Sequence, residues 1–89
     1  MPQISQKTKE KIQEQILHHL FTISPESQFT NKIANEIARD EEFTKSLLLD
    51  LKQKSLIVEI NKNPKGLSYA KRQRWRLSQS AFDAYKQRQ

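Results

Sequence analysis

The chain has no cysteine, one glycine, three prolines and one tryptophan in 89 residues. Without cysteine there is no disulfide and no thiolate metal site. A single glycine cannot build a glycine-rich phosphate cradle or a P-loop. The scarcity of glycine and proline also leaves no linker or low-complexity tract. No apolar run approaches the length of a membrane span, and the opening MPQISQKTKEKIQ lacks the apolar centre of a signal peptide. These absences point to a single soluble domain, residues 1–89, with a cytoplasmic location expected and no membrane partner. With 35% hydrophobic and 29% charged residues, a chain of this size must commit most of its apolar side chains to one thin core.

What is present in excess is positive charge, and its placement is uneven. The formal net charge is +6, yet residues 1–29 and residues 30–58 each sum to zero. Residues 59–89 carry Lys62, Lys65, Lys71, Arg72, Arg74, Arg76, Lys86 and Arg88 against only Glu59 and Asp83. A basic excess confined to one segment is the electrostatic footprint of a polyanion binder. The competing reading is a solvent-facing strand edge kept basic against aggregation.

Hydrophobic spacing gives the elements. Ile12, Ile16, Leu17 and Leu20 form one stripe at helical period, which predicts a helix over 6–22 with Ser5 as its N-cap. Pro25 ends that pattern, and Gln28-Phe29 fits a very short strand. A second helix, NKIANEIA, follows Thr30 as N-cap and shows a narrow apolar face of Ile33, Ala34, Ile37 and Ala38. Asp40 caps a third helix over 41–54, with Glu41 and Glu42 favouring the positive end of its dipole. Its buried stripe is Thr44, Leu47, Leu48 and Leu51, with Phe43 at the edge and Leu49 on the far side. LIVEI then reads as a strand with Leu56, Val58 and Ile60 facing one way. Asn63-Pro64-Lys65-Gly66 is a turn. In the strand that follows, Trp75 and Leu77 share one face, and Arg72, Arg74 and Arg76 the other. Residues 56–77 thus form a hairpin with a long basic connection. A last helix over 80–88 is capped by Ser80 with Asp83 as its capping-box partner, docked by Phe82 and Tyr85. The fold class is α+β: a three-helix core, a C-terminal β-hairpin and a short final helix.

IANEIARDEEFTKSLLLDLKQKSLI, residues 33–57, resembles the winged helix-turn-helix pattern in which an "IAxxL" helix turns into a second helix ending "LxxKGLI". RWRLSQSAFDAY, residues 74–85, resembles the closing strand and aromatic helix of the same regulators. MarR-like and PadR-like small regulators are the nearest groups. The resemblance implies a helix-turn-helix over 31–54, with 41–54 as the helix that enters the major groove and 61–73 as the wing. It implies a transcriptional regulator that contacts duplex DNA through Lys45, Ser46, Leu49 and Lys52 on the helix. The wing would add Lys62, Lys65, Lys71, Arg72, Arg74 and Arg76. Ser55 stands where such sequences usually have glycine and is expected to take a positive φ, and Ala38 stands where their turn often has glycine.

Other readings remain beside this one. The Glu42/Lys45/Leu49 face fits a protein partner as well as a groove, because an exposed leucine serves either. The basic hairpin also fits RNA or single-stranded nucleic acid. Trp75 reads as core rather than as a base-stacking platform. His18 and His19 point about 100° apart on their helix and do not converge on a metal. No Ser-His-Asp set is present, so no enzyme, cofactor or small-molecule ligand is expected. A homodimer would use the first and last helices, through His18, His19, Phe21, Phe82 and Tyr85.

Overall fold

A computed structural model describes residues 5–60 and 73–87. The elements run α1 (Gln6–Ile23), β1 (Gln28–Phe29), α2 (Thr30–Ile37), α3 (Glu41–Gln53), β2 (Ile57–Ile60), β3 (Arg74–Leu77) and α4 (Gln79–Gln87). The strands form one antiparallel sheet in the order β1-β3-β2. None of the described helices is long and apolar enough to cross a membrane.

The α1 stripe packs as its spacing requires: Ile12, Ile16, Leu17 and Leu20 are all buried. Ser5 Oγ accepts from the Thr8 N–H and caps the helix. Gln13 is buried among these apolar residues. Its Nε2 donates to the Leu47 carbonyl and to Asp50 Oδ2 at 2.9 Å, so the polar group brings its own partners into the α1–α3 contact.

The α2 start differs from expectation. Thr30 is the first helical residue rather than the N-cap; Phe29 precedes the helix and makes no side-chain cap bond. The Thr30 hydroxyl is committed across the fold instead, accepting from Trp75 Nε1 at 2.8 Å and donating to the Gln73 carbonyl. A buried indole N–H needs an acceptor, and that need outweighs local capping. At the other end Ala38 leaves the helix with φ 57°. Its N–H bonds the Asn35 carbonyl while the Arg39 N–H reaches back to Ala34, a Schellman closure.

The α3 helix follows the sequence reading closely. Asp40 Oδ1 accepts from the Phe43 N–H at 2.7 Å. Thr44, Leu47, Leu48 and Leu51 are buried, Phe43 is half-buried, and Leu49 is 45% exposed. Ser55 takes φ 63°, as expected, inside a second Schellman closure made by Ser55 N to Lys52 O and Leu56 N to Leu51 O.

In β2 the core residue is Ile57, 2% exposed, whereas Leu56, Val58 and Ile60 are only half-buried. The register decides this. Ile57 pairs with Leu77 and Glu59 with Trp75, so the strand's odd-numbered residues share the face that Trp75 and Leu77 present to the core. Every position from Leu56 to Ile60 except Glu59 is apolar, so alternation alone could not set the parity. On β3 the expected division holds, with Trp75 and Leu77 buried and Arg74 and Arg76 on the opposite face. Ser78, not Ser80, caps α4, its Oγ accepting from the Ala81 N–H. Asp83 accepts from Gln79 Nε2 rather than closing a capping box. The helix starts early because the Ser78 N–H is already fixed on the Leu56 carbonyl as the chain leaves the sheet. Phe82 and Tyr85 dock on α1 through Phe21, at centroid separations of 5.3 and 5.5 Å.

Candidate nucleic-acid interface

The αL residue at Ala38 and the cap at Asp40 turn α2 into α3 across three residues outside either helix, Ala38, Arg39 and Asp40. Burying Thr44, Leu47, Leu48 and Leu51 fixes the rotation of α3. At about 100° per residue, Glu42, Ser46 and Leu49 then fall at the centre of its outward face. Lys45 is exposed on the same face, nearer the sheet. Ser46 Oγ donates to the Phe43 carbonyl at 2.6 Å, which spends its hydroxyl hydrogen and leaves the oxygen as an acceptor. An open cleft of about 550 Å³ lies beside the start of α3, lined by Phe29, Asn31, Glu41, Glu42, Lys45 and Gln73 among others.

Lys52 is placed differently from Lys45. Its Nζ lies 2.8 Å from Glu59 Oε1 on β2, and Gln73 Nε2 donates to Glu59 Oε2. The Lys52 bond, more than the Gln73 bond, holds the Glu59 carboxyl below its ordinary titration range, against the opposing effect of burial. Gln73 also gives its carbonyl to the Thr30 N–H and hydroxyl. The last turn of α3, β2, the start of β3 and the start of α2 are thus joined by consecutive polar contacts. Glu59 and Gln73 were not among the expected site residues. The signal for Glu59 was available: it is one of only two acids in the basic segment 59–89.

On the outer face of the sheet, the Arg74 guanidinium sits 5.9 Å from the Phe29 ring centroid. Arg76 donates to the Leu77 carbonyl. Both arginines are half-buried. Lys62, Lys65, Lys71 and Arg72 lie outside the described residues. His18 and His19 border a second open groove with Glu14, Glu36 and Tyr85. Among the described residues no group of three or more side chains could hold a metal ion.

The chain is similar in structure to MepR of Staphylococcus aureus. It matches a MepR–DNA complex with a TM-score of 0.71 at 20% identity, over 91% of this chain and 66% of that one. MepR in its DNA-binding conformation matches with a TM-score of 0.69 at 21% identity, over 92% and 63%. A third structure, of MepR as a transcription regulator of the multidrug efflux pump MepA, matches at 0.63 and 22% identity, over 93% and 67%. Across such structures the chain spans from about half (53%) to two thirds of the MepR length. No protein-family model and no curated protein matches the chain by sequence. The likeness establishes the winged helix-turn-helix fold.

Proposed function

We propose that this winged helix is a DNA-binding transcriptional regulator rather than an enzyme, acting on duplex DNA through a basic wing and α3. One observation carries the reading: the whole net charge of +6 resides in residues 59–89, the segment within which the resemblance puts the wing, 61–73. The MepR structures it resembles include one solved with DNA. The wing set is Lys62, Lys65, Lys71, Arg72, Arg74 and Arg76, and it supplies affinity through phosphate contacts. The helix set is Lys45, Ser46 and Leu49, with Lys52 at its edge, and it contacts base edges over a narrow central strip. Two copies, joined through α1 and α4 beside His18, His19 and Tyr85, would read two half-sites.

Replacing Lys65, Lys71, Arg72 and Arg74 together by alanine tests the reading. The expected result is weaker duplex binding and a slope of log affinity against log salt shallower by about three to four. An unchanged slope sinks the proposal. The half-exposed Leu49 favours one second reading, a protein partner on the α3 face. Amide shifts over 45–53 with a protein partner, and none with duplex DNA, would establish it instead.

A further inference from the structure

Lys52 and Glu59 join the groove-facing helix to the base of the wing, and their environments are unequal. Lys52 is 49% exposed at the side chain; Glu59 is 12% exposed. Both carboxylate oxygens of Glu59 are occupied, one by Lys52 Nζ and the other by Gln73 Nε2. Pairing opposite Trp75 turns Glu59 toward α3 and away from the outer sheet face. Lys45 also acts on the carboxylate through space. For Lys52 to reach a phosphate it must exchange one short lysine–oxyanion pair for another. The exchange leaves a largely buried carboxylate with one oxygen unpaired, facing the incoming polyanion. That exchange is unfavourable.

We propose that Glu59 is a built-in counter-ion that withholds Lys52 from DNA phosphates. It lowers the affinity of α3 for any duplex, whatever its sequence, and fixes α3 against the wing. This inference rests on the DNA-binding reading above and revises its contact set. Lys52 becomes a positioning residue, and the strip of Glu42, Ser46 and Leu49 with Lys45 is left to meet the groove.

The test measures binding of a short mixed-sequence duplex by fluorescence anisotropy over a series of salt concentrations. The proteins are wild type, Lys52→Ala, Glu59→Gln and the double variant, each checked by thermal melting. Glu59→Gln keeps an amide oxygen for Gln73 while removing the charge that holds Lys52. Lys52→Ala is expected to leave the wild-type salt slope unchanged. Glu59→Gln is expected to bind several-fold tighter, with a slope steeper by about 0.9, the value for one added phosphate. The double variant is expected to lose that increment. Removing the carboxylate also removes a repulsion, but the double variant shares this, so the difference between it and Glu59→Gln belongs to Lys52. A Lys52→Ala slope shallower than wild type by about 0.9 overturns the inference and leaves the DNA-binding reading intact. Equal or weaker binding by Glu59→Gln does the same. Failure of all these proteins to bind duplex DNA at low salt overturns both.

Discussion

The Thr30–Trp75 hydrogen bond is the contact whose removal should cost most relative to the atoms changed. Thr30→Val keeps shape and volume and deletes one oxygen. Trp75 is fully buried and Thr30 is 8% exposed, so no water replaces the lost acceptor. An orphaned buried donor costs about 1–3 kcal/mol. At about 2.1 cal/mol/K of unfolding entropy per residue, a domain of this length loses about 0.19 kcal/mol of stability per degree near its midpoint. A cost of about 2 kcal/mol therefore lowers Tm by about 10 °C. Thr30→Ser, which keeps the hydroxyl and loses a methyl, should cost about 1 kcal/mol. Trp75 is the sole tryptophan, so its emission reports the site directly during a thermal melt. A Thr30→Val protein that melts within about 2 °C of wild type with unchanged emission would refute the reasoning, because the indole would then be satisfied elsewhere.

Ala38→Gly and Ser55→Gly should each stabilise by about 1 kcal/mol, since both residues hold αL geometry that only glycine adopts without a Cβ penalty. Loss of stability in either variant, by chemical denaturation, would show that unfolded-state entropy outweighs the steric relief. Acid should destabilise through two carboxyls held below their ordinary range, Asp50 by Gln13 and then Lys54, and Glu59 by Lys52. A depressed carboxyl stabilises fully above its unfolded value, near 4, and that stability is lost as pH falls through the folded value. The urea midpoint should therefore stay level from neutrality to about pH 5 and drop below it. An Asp50→Asn/Glu59→Gln protein whose acid slope matches wild type would remove both groups from the account.

Much of this fold was legible because its helices are amphipathic with one clear stripe each, and because Ser5 and Asp40 cap where they stand next to such stripes. The errors share a cause. Thr30 and Ser80 are good capping residues by type, but a serine or threonine at a helix start is claimed by whichever partner needs it more. Trp75, forty-five positions away in sequence, claims Thr30, and the strand exit at Ser78 sets where α4 begins. Strand parity in LIVEI failed because it depends on pairing with Leu77, a non-local fact. At the candidate site the same limit applies. That Lys52 is charged and lies off the buried stripe of α3 follows from helical spacing. That Glu59 holds it requires the register of β2 against β3.

The carboxylates at the start of α3 bear on how such a protein divides affinity from fit. Asp40 is accounted for by its cap, and helix-dipole chemistry favours Glu41 and Glu42 at that end. Both glutamates are nevertheless exposed and border the cleft with Lys45. With Lys52 paired to Glu59, the outward face of α3 carries little net positive charge. On the proposed reading, a helix of this kind gains nothing from the phosphate backbone and is repelled where its contacts do not match. The basic segment 59–89 then has to supply attraction that is indifferent to sequence, while α3 penalises poor matches. Such a partition favours specificity over tightness: the wing can raise affinity for every duplex equally, and only the helix can change the ratio between them.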